Sequence, residues 1–304
     1  MVEALRSFFA SDLWWSFKRS PLTVVAAIVA CLCVLGAALA PWIAPHDPYD
    51  LAQVSLMNSN LPPAFQKGGT STFLLGTDQQ GRDILSTIMY GSRVSLLVAV
   101  CATVMSMLVG VLLGLVAGYV GGRLDSFIMR VADIQLSFPA ILIALLISGI
   151  GRTILPREMQ DQLALYVIIL SIGLTGWVQY ARTVRGSTLV ERNKEYVQAA
   201  RVIGVPQWRI MLTHVLPNAL GPVLVIATLG VASAILTEAT LSFLGVGMPP
   251  TQPSLGTLIN EGQNYLFSGE WWITIFPGIA LIVMVIAVNL LGDWLRDALN
   301  PKLR

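Results

Sequence analysis

Long apolar runs separated by short polar breaks dominate this chain, and their length decides what they are. A helix that crosses a bilayer needs roughly 17–25 predominantly apolar residues. Six runs qualify: 22–43, 94–119, 128–150, 163–180, 220–236 with an extension open to 244, and 272–291. The expected fold is therefore an all-α membrane protein with six transmembrane helices. Gly110, Gly114 and Gly118 recur every four residues on the second run. That spacing puts a smooth stripe on one helix face and lets another backbone approach closely, either from this chain or from a partner subunit. Lys18 and Arg19 precede the first run, and Ala38-Leu-Ala40 near its end resembles a signal-peptide cleavage site. The run is too long for a typical signal core, so a retained anchor is expected.

The longest polar break after residue 100 lies between the fourth and fifth runs and has a shape of its own. It reads Glu195-Tyr-Val-Gln-Ala-Ala-Arg-Val-Ile-Gly204, then Pro206-Gln-Trp-Arg209, then Leu216-Pro217-Asn218. Asn193 suits an N-cap, and Glu195 in the first turn suits the positive end of a helix dipole. Tyr196, Ala199, Ala200 and Ile203 fall three or four apart and are expected to share a face. Gly204 is placed for a left-handed C-terminal residue, and Pro206 for the first turn of a second short helix that Leu216-Pro217 ends. Two readings are open: a helix lying on the inner leaflet, or a knob that enters a groove on a cytosolic partner.

Charge gives orientation. Fourteen of the 19 Lys and Arg residues fall on one side of the expected spans, that of both termini and the Glu195 element; Lys67, Arg82, Arg93, Arg152 and Arg157 fall on the other. By the positive-inside rule, both termini and the Glu195 element are cytoplasmic. The loop 44–93 then lies outside. In it Thr77 or Asp78 is expected to cap a short interfacial helix leading into the second span. Its other reading is a lid or a docking surface for a soluble partner, with Asp78, Arg82 and Asp83 as the docking candidates. The second outer loop, 245–271, is too rich in Gly and Pro for a continuous helix, and its Tyr265, Phe267, Trp271 and Trp272 mark the return to the interface. Asp133 and Glu238 sit near span ends, where a carboxylate either snorkels or faces a pathway. Glu238, with Thr237 and Ser242 beside it, is the candidate for the path.

Composition agrees with a bilayer as solvent: 55% apolar, 12% charged and mean hydropathy +0.71, against about a quarter charged in soluble domains. A net charge of +2 without a basic, aromatic-interleaved cluster excludes nucleic acid as a partner. Cys31 and Cys33 are two apart and point away from each other on a helix, so they read as packing residues. Only two histidines occur, His46 and His214, and no nucleophile or metal motif is present. A phosphate-binding G-x-x-x-x-G-K-[ST] loop is also missing.

The Glu195 element resembles the cytoplasmic coupling loop of ABC importer permeases, whose pattern is Glu-Ala-Ala, three residues, Gly, nine residues, Ile, one residue, Leu-Pro. Ala199, Ala200, Gly204, Leu216 and Pro217 match in register; Gln198 replaces the Glu and His214 the Ile. Leu75-Gly-Thr-Asp-Gln-Gln-Gly-Arg-Asp83, Tyr90-Gly-Ser-Arg93, Glu238-Ala-Thr-Leu-Ser-Phe-Leu-Gly245, Phe276-Pro-Gly278 and Asn289-Leu-Leu-Gly-Asp-Trp-Leu-Arg-Asp-Ala-Leu-Asn-Pro301 resemble the dipeptide/oligopeptide branch. The resemblance implies a type I permease fold in a bacterial inner membrane. It implies a second homologous permease, two cytosolic ATPases that carry ATP and Mg, an extracytoplasmic binding protein and a peptide substrate. This chain would hold no cofactor and catalyse nothing. Glu195, Tyr196, Gln198, Ala199, Ala200, Arg201, Gly204, Leu216 and Pro217 would couple it to the ATPases. The segments expected are a cytoplasmic 1–21, an anchor 22–43, an outer loop 44–93, a core 94–291 holding the coupling loop 181–218, and a tail 292–304. Import of a nickel chelate, an opine or an antimicrobial peptide, or an ion-coupled carrier, are the alternatives.

Overall fold

A computed structural model describes residues 17–50 and 54–299. The long helices are α1 (Pro21–Ala38), α2 (Ile84–Val120), α3 (Gly122–Leu136), α4 (Ala140–Ile154), α5 (Arg157–Glu191), α6 (Glu195–Val202), α7 (Gly221–Phe243), α8 (Leu255–Gln263) and α9 (Trp272–Leu299). Five of them, α1, α2, α5, α7 and α9, are long and apolar enough to cross a membrane, and the bent pair α3–α4 makes up to six. Among the described residues the sole β feature is an antiparallel bridge between Thr77 and Asp83.

The third expected span is the one the structure redraws. The run 128–150 is broken at Ser137, Phe138 and Pro139, where α3 and α4 meet at 93°. Pro139 lacks an N–H and its ring disfavours a helical residue before it, so the chain turns there. Hydrophobicity summed over the run hides the break, because α4 is apolar enough to carry the average. The helix α3 is amphipathic instead: Arg185 grips Asp125 through two hydrogen bonds, of 2.5 and 2.7 Å, and Arg182 reaches Asp133.

Helix α2 begins ten residues before the expected start of the second span. Its cap is Asp83, whose carboxylate accepts from the backbone N–H of Ser86 at 2.9 Å, rather than Thr77 or Asp78. Among the described residues no separate helix stands between Thr77 and Asp83; with 37 residues α2 is about 55 Å long at 1.5 Å per residue, more than the hydrocarbon core needs. The glycine stripe lies against α5. A β-carbon on Gly114 would sit 2.3 Å from the carbonyl oxygen of Ala181, and one on Gly110 2.5 Å from that of Trp177. Backbones meet there, so the stripe packs within this chain.

Packing around this pair follows from small residues. Ala26, Ala30 and Ala37 bury one face of α1 against α9 and α2, while Leu22, Val25, Ile28 and Leu32 face outward. Val98, Ala99 and Ala102 of α2, Ile168 and Ile172 of α5, Ala232 and Ile235 of α7 and Met284 of α9 form the main core. A second cluster, Leu115, Tyr119, Tyr180, Val184, Val197, Ala200, Ile210 and Val215, joins α6 to the ends of α2 and α5.

Candidate functional site

The element from Lys194 to Ala219 is built as a bracket. Lys194, not Asn193, is the residue before α6, and the Asn193 amide instead donates to the Leu189 carbonyl. Val197 and Ala200, one helical turn apart, are buried, while Tyr196, Ala199 and Ile203 of the expected shared face are exposed. Tyr196 turns sideways: its hydroxyl donates to Glu191 at 2.6 Å and accepts from the Asn218 amide at 3.1 Å. Arg201 stacks its guanidinium 5.6 Å from the centre of the Tyr119 ring. Gly204 has φ +82°, the left-handed conformation that ends α6. Glu195, Gln198 and Ala199 are exposed, and beyond them stands an apolar tip: Val202 at 89%, Ile203 at 79% and Trp208 at 64% exposure.

The return limb departs from the sequence expectation. Pro206 precedes the helical turn Gln207–Ile210 instead of lying in it, and Leu216-Pro217 does not end the helix. A π-turn, Met211–Val215, widens the backbone just before Pro217. The wide turn accommodates a ring that would clash with the carbonyl four residues back. The Asn218 side chain satisfies the His214 carbonyl at 2.7 Å.

The three path candidates separate. Thr237 lines a cavity of about 290 Å³ between α2, α5 and α7, shared with Thr103, Ser106, Thr175, Gln179, Tyr180, Gly230 and Ser233, with Leu136 and Ala140 from the α3–α4 break beside them. Glu238 and Ser242 do not line it. Glu238 is fully buried and accepts 2.7 Å hydrogen bonds from Ser95 and Ser242. Those two hydroxyls in turn accept the backbone N–H groups of Leu255 and Met248. The carboxylate therefore pins α2, α7 and the second outer loop at one point.

The outer candidates are held in a hydrogen-bond network as well. Asp78, Arg82 and Asp83 are all buried. Arg82 donates to Asp78 at 2.6 Å and to Glu261 of α8 at 3.1 Å. Asp78 also accepts the N–H groups of Gln80 and Arg82, closing a tight turn. Tyr265 donates to Gln79, and the Trp272 indole donates to the Thr77 carbonyl at 3.1 Å, so both outer loops lock together. Burial pushes the Glu261 carboxyl above its ordinary value, with Arg82 pulling against it. The Tyr49 hydroxyl is likewise pushed up by burial, to about 12. Sequence reasoning missed Glu261, Ser95 and Tyr180, because each matters only through a partner far along the chain.

Residues 110–304 match the family described as "Binding-protein-dependent transport system inner membrane component", and residues 7–63 match the "N-terminal TM domain of oligopeptide transport permease C". The chain is 43% identical over 293 residues to the dipeptide transport system permease protein DppC of Escherichia coli K12, covering 96% of this chain and 93% of that one. It is 39% identical over 293 residues to DppC of Haemophilus influenzae, covering 96% and 95%. A solved structure of the MetNI methionine ABC transporter aligns with 67% of this chain and 94% of its own at a TM-score of 0.49 and 21% identity. A multi-pass helical chain, matched almost end to end by such permeases, belongs to the family of inner-membrane components of binding-protein-dependent ABC transporters, in its dipeptide and oligopeptide branch.

Proposed function

We propose that this chain is one of two permease subunits of an importer that moves dipeptides and other short peptides across the bacterial inner membrane by alternating access. A second homologous permease completes the path, two cytosolic ATPases hold ATP and Mg, and an extracytoplasmic binding protein delivers the peptide. The observation that carries this reading is the bracket at 194–219. It presents Ala199, Val202, Ile203 and Trp208 outward, while Val197 and Ala200 anchor it to the spans. An exposed apolar tip on a rigid base suits insertion into a groove on another protein. Both termini and the bracket are assigned to the cytoplasm, which the distribution of Lys and Arg supports.

In this mechanism ATP binding closes the ATPases, which move α6 as a lever. Glu195, Tyr196, Gln198, Arg201, Gly204, Leu216 and Pro217 give that lever its contacts and its bend. The buried Tyr119, Val184 and Val215 around it pass the motion to α2, α5 and α7 as rigid bodies. Nucleotide shifts the equilibrium only as far as it binds one state better than the other, so a tightly seated lever is required. Asp78, Arg82 and Asp83 serve by holding the outer loops in the shape the binding protein meets, not by touching it. Uptake of a dipeptide into vesicles holding the assembled importer tests the proposal: ATP-dependent, vanadate-sensitive uptake is expected, and uptake driven by an ion gradient alone overturns it.

A further inference from the structure

We infer that the cavity between α2, α5 and α7 is a neutral binding site for the backbone amide of the transported peptide; this rests on the transport reading above. Two buried hydroxyls on its wall, Thr103 and Tyr180, have no hydrogen-bond partner among the described residues. A buried hydroxyl left unpaired is costly, so this pair is poised to meet an arriving group. Three further hydroxyls are already committed as donors: Ser106 gives its proton to the Gly173 carbonyl at 2.9 Å, Thr175 to the Ser171 carbonyl at 2.6 Å, and Thr237 to the Ser233 carbonyl at 2.9 Å. Their lone pairs remain. The wall thus offers two unpaired O–H donors beside hydroxyl oxygens able to accept and the side-chain amide of Gln179, which suit the C=O and N–H of an amide.

Charge selects against the rest of a peptide. No Asp, Glu, Lys or Arg lines the cavity among the described residues, and an ionised group without a partner is expensive to bury. Side chains and termini are therefore left to the open rim, and one amide occupies the wall whatever the peptide's sequence. A β-carbon added at Gly230 would collide with the Tyr180 hydroxyl, so the glycine makes room for that hydroxyl beside α7.

The test uses the assembled importer in proteoliposomes, with Tyr180→Phe, Thr103→Val and the double variant, and Thr103→Ser as the hydroxyl-retaining control. Peptide taken up per ATP hydrolysed should fall roughly fivefold for each lost hydroxyl, the scale of one hydrogen bond. The same factor is expected for Ala-Ala, Asp-Ala and Lys-Ala, and Thr103→Ser should restore most of the loss. Unchanged uptake, a loss confined to one side-chain charge, or uptake and ATP hydrolysis falling in step overturns the site. Absence of peptide uptake by the unaltered importer removes the transport reading itself, which separates the two failures.

Discussion

At the scale of single residues, a polar side chain in this protein acts through what it is bonded to. Glu238 invites a role in the path, yet both of its oxygens are taken by hydroxyls that position backbone in the outer loop. Glu238→Ala leaves Ser95 and Ser242 without their acceptor, a loss of about 1–3 kcal/mol per stranded group. Reduced melting temperature and yield of the solubilised protein are expected. A variant that assembles normally and loses only uptake would return Glu238 to the path. Glu261 gives a pH signature. Its folded-state pKa lies above the unfolded one, so folding takes up a proton between the two values and stability rises as pH falls through that interval. Glu261→Gln should flatten that rise in a melting series from pH 7 downward, and an unaltered slope would show that another group carries it.

At the scale of elements, the proposed coupling rests on α6. The helix α6 has eight residues, too few to be stable alone, so its orientation comes from Val197 and Ala200 beneath it and Tyr196 at its side. A bulky side chain at Ala200 has no room in that cluster, and overpacking of this kind costs about 1–3 kcal/mol. Ala200→Leu and Gly204→Pro should insert normally while ATP hydrolysis runs on without uptake; full uptake in both would end the lever account. The α2–α5 seam behaves differently. Gly114→Val forces a β-carbon into the Ala181 backbone, where no side chain can swing aside. The long helices must separate, and the expected result is loss of folded protein rather than uncoupling, read by size-exclusion profile and yield.

For the whole molecule, the decisive arrangement is that lever and outer struts sit at opposite ends of the same long helices. The α2–α5 pair joins the cluster under α6 to the core beneath Glu238; in the proposed mechanism a tilt at one end reaches the other through these two helices. Orientation is testable directly. In a background lacking Cys31, Cys33 and Cys101, a cysteine at Phe267, 97% exposed, should react with an impermeant reagent on intact cells. One at Val202 should react only after permeabilisation. The reverse pattern overturns the assignment of sides.

Much of this was legible in the chain itself. Hydrophobicity over some twenty residues is a local sum, so five of the spans, the glycine stripe and the left-handed Gly204 follow from sequence. Helix ends are less legible there: α2 starts early and α3–α4 break, because caps and bends depend on a few backbone hydrogen bonds that an average over a window erases. What tertiary structure alone decided is which polar residues are struts and which face a cavity. Arg82 meets Glu261 across 179 positions and Ser95 meets Glu238 across 143. The worth of a buried charge or hydroxyl is set by its partners and by the water it has lost, and neither is a property of its neighbours along the chain.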